Sequence, residues 1–384
     1  MPPASAASAS PSDVPWPTPA AAAFDPAAFG WRGVGQILDL NSTVIGYQLA
    51  VGYLDGTEPR WTIDMTVAPW QFTIFATQHA VTAGPASGWV VYVNDDGAQS
   101  EVRAVRVDGT AEHSVITLSS VVFHAVLAPD GSAAYLDLLN RASGREEGVV
   151  SVALGGSGSS QPVMAPAPVD LAIGGPGQVR LVAVSRFVRD LAISPSGTML
   201  ARFACGEPFG QCLLEVVDLD TNAQLTLEDP IIWEFFGVSD TEVVGRFTCG
   251  DDSCIVGVTT DDGSRRTLEL AGGALYPGRP AVGGTGGLVF LGTVGGTYYH
   301  PPGAELWGYD LDSSVSVRLL AMDGGFGIGL EDTSVDQFAE LPWGWALVLV
   351  CPVESSCQTV ALNLSDLSQI PISIGGAGYG GGHD

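Results

Sequence analysis

The sequence contains no lysine, so its positive charge comes from 15 arginines alone, set against 42 aspartates and glutamates. The formal net charge of −27 argues against sequence-independent binding to nucleic acid or anionic lipid, because both need a basic surface. A divalent cation or a cationic partner is compatible with this charge, and an acidic solvated surface explains it equally well. Runs of eighteen or more apolar residues are also absent, which excludes a membrane-spanning helix.

Glycine and proline are abundant, with 50 and 25 of the 384 residues. They supply the turns that many short strands require, and 46% apolar residues are enough for a substantial core. The length would accommodate two average domains or one domain built from repeats.

Residues 190–221 carry a pattern that the rest of the chain repeats with variations. Strands are predicted at Leu191–Ser194, Thr198–Ala204 and Leu213–Val217, with a fourth at Gln224–Glu228 after an Asp-rich turn. Four such strands in series form an antiparallel meander. A meander that recurs along the chain is typical of a propeller blade.

Seven repeats of this pattern can be counted. The best internal match aligns residues 201–205 (ARFAC) with residues 245–249 (GRFTC), with turns at matching places on both sides. Residues 155–168 are rich in glycine, serine and proline and are predicted to form an inserted loop. The repeats begin near Trp31, His79, His124, Asp190, Phe235, Arg279 and Gln337.

The repeats predict one domain at residues 29–374. Residues 1–28 are rich in alanine, proline and serine and lack the basic and apolar regions of a signal peptide, so we expect a flexible linker there. Residues 375–384 are expected to form a disordered glycine-rich tail.

Two segments carry a resemblance to a known family. Leu127-Ala-Pro-Asp-Gly131 and Ile193-Ser-Pro-Ser-Gly197, each followed by apolar strands, resemble the PD40 or TolB-like repeat of WD40-like β-propellers. The resemblance implies an all-β propeller, and the repeat count predicts seven four-stranded blades, or six if the N-terminal region completes the last blade. It implies no activity, since this fold serves binding proteins and enzymes alike. The sequence has no Gly-x-Ser-x-Gly elbow, which argues against a prolyl-oligopeptidase-like enzyme.

The cysteines fall into local pairs that bracket hairpin loops, an arrangement that suits cross-strand disulfides. Zinc is the alternative, but it usually requires closer spacing within each pair and two pairs that converge. Disulfides would indicate an oxidising compartment, so an extracellular, periplasmic or cell-surface protein is expected. The three pairs are Cys205 with Cys212, Cys249 with Cys254, and Cys351 with Cys357.

In the propeller that the resemblance implies, the repeat starts form a ring at the mouth of the central channel. Two histidines and a carboxylate there would suit a divalent metal site or an acid–base pair. Hydrogen bonding to backbone and water is the alternative role for such side chains. The candidate binding residues of this ring are His79, His124, Asp190, Glu234, Arg279 and Gln337.

The loops between second and third strands would open on the same face as the ring. Tyr298 and Tyr299 occupy that loop in the sixth repeat, where two aromatic rings suit a glycan or peptide contact; an ordinary exposed loop is the alternative. The leading hypothesis is a secreted or cell-surface recognition module, not an enzyme, that binds a protein, peptide or glycan through this face without a cofactor.

Two other functions fit the same residues. One is a propeller enzyme, either a metal-assisted hydrolase or a polysaccharide lyase, with His79, His124, Asp190 and Arg279 as candidate catalytic residues. The other is a structural component of a surface assembly, attached through the terminal segments.

Overall fold

The computed structural model shows an all-β chain whose described strands form seven antiparallel sheets, here called sheets I to VII. The described residues are 30–38, 44–53, 61–65, 82–84, 89–106, 110–143, 146–155, 158–166, 189–194, 196–205, 212–228, 232–249, 252–268, 281–283, 287–293, 304–310, 314–321, 345–350, 358–363 and 368–372.

The sheets follow one another along the chain. Sheet I contains β1 (Gly30–Leu38), β2 (Val44–Tyr53) and β3 (Trp61–Met65). Sheet II contains β4 (Thr82–Gly84), β5 (Trp89–Asp95), β6 (Ser100–Arg106) and β7 (His113–Leu118). Sheet III contains β8 (Val121–Leu127), β9 (Ala133–Leu139), β10 (Glu146–Ala153) and β11 (Ser160–Met164). Sheet IV contains β12 (Arg189–Ile193), β13 (Met199–Cys205), β14 (Cys212–Asp218) and β15 (Gln224–Glu228).

The second half of the chain continues in the same way. Sheet V contains β16 (Ile232–Val238), β17 (Glu242–Cys249), β18 (Asp252–Thr259) and β19 (Arg265–Thr267). Sheet VI contains β20 (Ala281–Gly283), β21 (Gly287–Thr293), β22 (Ala304–Asp310) and β23 (Val315–Ala321). Sheet VII contains β24 (Trp345–Val350), β25 (Gln358–Asn363) and β26 (Gln369–Ile372).

Every sheet is a simple meander in which each strand pairs with the next in sequence. Each four-stranded sheet therefore has two distinct ends. We call the end where the second strand connects to the third the upper end, and the end that carries the other two connections the lower end. The first strand of each sheet starts at the upper end.

Sheets II to VII lie side by side in sequence order through their first strands, with β4 beside β8, β8 beside β12, β12 beside β16, β16 beside β20, and β20 beside β24. Neighbouring sheets also meet upper end to upper end and lower end to lower end. Arg141 and Asp95 join the upper ends of sheets III and II, whereas Ser196 and Asp240 join the lower ends of sheets IV and V. This arrangement of meanders around their first strands is the one that a propeller requires.

Apolar side chains on facing sheets form the core between neighbouring sheets. Sheets II and III bury alternate residues of their strands against each other, such as Val91 and Leu136, and sheets IV and V do the same with Phe203 and Val243. The core between sheets III and IV is smaller and includes Val149, Met164, Leu191, Leu200 and Val217. Alternation with a period of two places these residues on one face of each strand.

The four strands predicted at residues 191–228 are confirmed within two residues at each boundary by sheet IV. The inserted loop predicted at residues 155–168 is wrong in part, because β11 occupies its centre and pairs with β10. Pro162 lies in this strand opposite Val150. An outermost strand tolerates proline, since one of its edges has no strand to which an N–H could donate.

The all-β architecture is confirmed for the described residues. The division into seven blades, with six as the alternative, stays a prediction. The predicted linker at residues 1–28 and the predicted tail at residues 375–384 lie outside the described residues. Within the described part of the chain, no helix has the length and apolar character needed to cross a membrane.

Candidate functional site

Three predicted ring residues lie on first strands that run side by side. His124 is on β8, Asp190 on β12 and Glu234 on β16. His124 and Asp190 occupy equivalent positions in their strands. His124 lies four residues before Ala128, and Asp190 lies four residues before Ser194. Ala128 and Ser194 each open the turn to the second strand of their sheet. His124 is half-buried. The side chains of Asp190 and Glu234 lie outside what the structure describes.

The structure describes only part of the predicted ring, so the ring itself stays a prediction. Within the described residues, no three His, Cys, Asp or Glu side chains are grouped so as to hold a metal ion. The remaining predicted residues lie outside the described residues, namely His79, Arg279, Gln337, Tyr298 and Tyr299.

His124 faces a buried carboxylate across the strand pair. Its backbone partner on β9 is Asp137, whose exposed fraction is 0%. Directly opposed residues project from the same face of a sheet, so both side chains point in the direction of Val126 and Tyr135, which pack against sheet IV. The pair therefore lies toward the upper end of the interface between sheets III and IV.

A buried ion cluster lies in this same interface. Arg202 of β13 is fully buried and donates to Glu146 of β10 and to Glu215 of β14. Its Nη2 also donates to the carbonyl oxygen of Ala165 at 2.9 Å, and Gln224 donates to Glu215 at 3.2 Å. One guanidinium thus joins two strands of its own sheet to the neighbouring sheet.

The upper ends of sheets II and III are joined by a second arginine. Arg141, in the connection between β9 and β10, donates from Nη1 to Oδ1 of Asp95 at 3.0 Å and from Nη2 to Oδ2 at 2.7 Å. It also donates to Ser100 Oγ at 3.0 Å and to the Ser119 carbonyl at 3.2 Å. The planar fork of arginine matches a carboxylate in two parallel hydrogen bonds, so the contact fixes orientation as well as distance.

The Asp95 carboxyl is held in its charged form. Burial would raise its pKa, but hydrogen bonds from Arg141, from Ser100 and from the Gly97 amide outweigh burial and hold the pKa below its usual range. Glu147 adds a contact nearby, because it accepts hydrogen bonds from Ser120 and, at 2.7 Å, from Asn140.

The cysteine loops also belong to the upper end. Cys205 lies directly opposite Cys212 in the register of β13 and β14. In sheet V the register is shifted, because Cys249 opposes Asp252 while Cys254 opposes Phe247. Cys254 is not a free thiol, but the side chain of Cys249 lies outside what is described.

Cys351 and Cys357 lie outside the described residues, next in sequence to the paired residues Val350 and Gln358. The three disulfide pairings therefore stay predictions.

Sequence reasoning missed the charged residues that fasten the sheets together. In sequence, an arginine or glutamate inside an alternating strand resembles a solvent-facing residue, although the Arg-Phe pair that recurs at residues 202–203 and 246–247 is a usable signal. The missed residues are Asp95, Asp137, Arg141, Glu146, Arg202 and Glu215.

Comparison with known proteins gives fold information only. No protein-family model matches the sequence, and no curated protein is a significant match. Among solved structures, an uncharacterized protein from Listeria monocytogenes EGD-e aligns over 76% of this chain and 81% of its own, with 10% identity and a TM-score of 0.50.

A prolyl endopeptidase aligns over 90% of this chain with 10% identity and a TM-score of 0.51, but this chain spans only 50% of its length. TolB from Agrobacterium tumefaciens aligns over 78% of this chain and 92% of its own, with 12% identity and a TM-score of 0.40, which is too low to show a shared fold. At such low identities the Listeria and prolyl endopeptidase matches support a propeller-type fold for this chain, and nothing follows about its activity.

Proposed function

We propose that this protein is an exported β-propeller recognition module that binds a protein, peptide or glycan through the upper end of its sheets. The observation that carries the proposal is the bidentate contact between Arg141 and Asp95, which fastens the connection between β9 and β10 to the neighbouring sheet. Recognition residues commonly lie on loops that a rigid scaffold positions. Loops that are fixed before binding lose less conformational entropy when a partner binds.

Two further features support this choice of surface. Cys205 and Cys212 lie opposite each other where β13 and β14 join, so a disulfide there would fix another upper connection. The predicted Tyr298 and Tyr299 contact belongs to the equivalent connection of sheet VI. The net charge of −27 favours a partner with a positive surface, because opposite charges accelerate encounter.

The test uses two matched substitutions at opposite ends of the sheets. Ala142 and Ala223 are both exposed and lie in connections at the upper end of sheet III and the lower end of sheet IV. Each alanine is changed to arginine, which adds bulk and charge without removing a side-chain hydrogen bond. Ligands for the wild-type protein are first selected from a peptide display library and a glycan array.

The dissociation constants of the selected ligands are then measured for all three proteins by calorimetry. The proposal expects weaker binding for Ala142→Arg and unchanged binding for Ala223→Arg. Equal effects of both variants, or a loss with Ala223→Arg alone, would overturn the proposed surface.

The enzyme alternative is favoured by one observation, the position of His124 opposite the buried Asp137. A carboxylate beside an imidazole suits general acid–base catalysis. This proposal expects purified protein to cleave an acidic polysaccharide, detected as new reducing ends or as the ultraviolet absorbance of an unsaturated product. Activity that survives in His124→Ala would rule out this site.

The third alternative, a structural component of a surface assembly, expects self-association. Light scattering that reports a monomer at high protein concentration would count against it.

A further inference from the structure

The interface between sheets III and IV has a smaller apolar core than the interfaces on either side of it. Among the described residues, five buried apolar side chains form this core, whereas the cores between sheets II and III and between sheets IV and V hold fourteen and nine. Burial of apolar surface is the main favourable contribution to such packing, so sheets III and IV gain the least from it.

Charged side chains are also buried in this interface. Arg202 is fully buried and donates to Glu146 on sheet III and to Glu215 on its own sheet, and we call these three residues the Arg202 cluster. Asp137 is fully buried as well, and it lies directly opposite Val149 on the face of sheet III that packs against sheet IV. Ions that leave water lose their hydration, and this loss offsets much of their mutual attraction. The charges therefore hold the two sheets together no more strongly than apolar side chains of similar volume would.

The contacts that fasten sheets III and IV lie on different strands. The first strands, β8 and β12, lie side by side. Further out, Arg202 on β13 donates to Glu146 on β10 and to the carbonyl oxygen of Ala165, which follows β11. The sheets can turn about their first strands and part at their outer strands only when these hydrogen bonds of Arg202 break.

We propose that sheets III and IV form a seam that opens locally in the folded protein, with the contact between β8 and β12 as its hinge and the Arg202 cluster as its clasp. Opening returns water to the buried carboxylates and to the guanidinium, and their hydration offsets part of the cost of exposing the small apolar core. The same movement in either neighbouring interface exposes a larger apolar core. The seam is separate from the proposed recognition surface, and it gives water a route to Asp137.

Two adjacent valines of β14 test this proposal because they face different interfaces. Val217 belongs to the core between sheets III and IV and Val216 to the core between sheets IV and V, and their exposed fractions are 3% and 2%. Each is changed to cysteine in the full chain. The rate at which iodoacetamide modifies the new thiol under native conditions is measured by mass spectrometry, with the wild-type protein as the background for its own cysteines. The proposal expects Val217→Cys to react at least about tenfold faster than Val216→Cys, because a local opening costs less free energy than global unfolding.

Two results would overturn the proposal. Equal rates would show that both thiols are reached only when the whole protein unfolds, and a faster reaction at Val216→Cys would place the opening in the other interface. A second pair, on β10, repeats the comparison from sheet III and replaces the first pair if one of its variants fails to fold. Val149 faces sheet IV and Val152 faces sheet II, and both are buried, so Val149→Cys should react faster than Val152→Cys.

Glu146→Gln, added to Val217→Cys, tests the clasp. Glutamine keeps the shape of the side chain but removes the charge that pairs with Arg202. If opening breaks this contact, the thiol should react at least about fivefold faster, because a hydrogen bond between charged groups is replaced by a weaker one. Glu147→Gln, at the exposed position next in sequence, is the control and should leave the rate unchanged. An unchanged rate with Glu146→Gln would show that the cluster stays intact in the open state and would overturn its role as the clasp.

Discussion

Arg141 and Asp95 are 46 residues apart in sequence and belong to different sheets, yet they meet through two parallel hydrogen bonds of 3.0 and 2.7 Å. Their side chains are 19% and 11% exposed, so the contact is only weakly screened by solvent. It fixes the upper connection of sheet III to that of sheet II, where the proposed recognition surface lies.

Removal of this contact should destabilise the protein. Arg141→Met keeps the apolar stem but leaves Asp95 without its main partner, and hydrogen bonds to charged groups contribute roughly 1.5–3 kcal/mol. We expect a loss of about that size in the free energy of unfolding, measured with urea. A double-mutant cycle with Asp95→Asn should give a coupling energy well above zero. Additive effects of the two substitutions would show that the contact contributes nothing.

The stability of the protein should fall in acid partly through Asp95. Its pKa is lowered in the folded state, so the carboxylate contributes stability above the unfolded value of about 3.9, and this contribution is lost as the pH falls below it. The free energy of unfolding of Asp95→Asn should therefore change less than that of the wild type between about pH 5 and pH 3. If the free energies of unfolding of the two proteins changed in parallel over that interval, Asp95 would not be a source of the pH dependence.

Replacement of Arg202, the buried arginine of sheet IV, should lower the free energy of unfolding more than replacement of Arg141. Arg202→Met leaves Glu146 and Glu215 as buried carboxylates without their shared cation, and loss of one partner of a buried ion pair costs roughly 3–5 kcal/mol. Arg265→Met, at an exposed position of β19, is the control and should change the free energy of unfolding by less than about 1 kcal/mol, because interactions of exposed charges contribute little. Similar losses in both variants would show that burial of Arg202 has no special role.

A side chain at Gly257 would force the carboxylate of Glu242 to move. Gly257 lies between Glu242 and Arg266, which are joined by hydrogen bonds of 2.7 and 2.9 Å, and a Cβ atom there would lie 2.7 Å from Oε2 of Glu242. We expect Gly257→Ala to cost about 1–3 kcal/mol by displacing that carboxylate.

A second glycine provides the comparison. Gly155→Ala places its Cβ where no atom lies within 4 Å, so its stability should equal or slightly exceed that of the wild type. Thermal unfolding of the two variants side by side measures the difference. Equal midpoints would show that the Glu242 side chain adapts without cost.

The strands of sheet IV could be predicted from sequence because two local signals agree there. The polar residues Thr198 and Arg202 stand among apolar ones, as in a half-buried strand, and turn residues such as Gly197 punctuate the chain. Gly197 has a φ of 80°, which explains why glycine closes that turn. β11 escaped prediction because its serine and proline content is typical of loops, and only its pairing with β10 makes it a strand.

The contacts between sheets could not be predicted in this way. Arg202 resembles any polar residue of a half-exposed strand, and its burial depends on Glu146, which lies 56 residues earlier in the chain. His124 could be found because the repeat pattern predicts a start there, although β8 begins three residues earlier at Val121. Its neighbour Asp137 was missed because only the strand register brings the two together.

The most direct test of the proposed function compares the two ends of the sheets. For ligands selected on the wild-type protein, we predict that Ala142→Arg raises the dissociation constant at least about tenfold, which corresponds to roughly 1.4 kcal/mol, while Ala223→Arg changes it less than about twofold. Unchanged binding by Ala142→Arg together with weakened binding by Ala223→Arg would contradict the account.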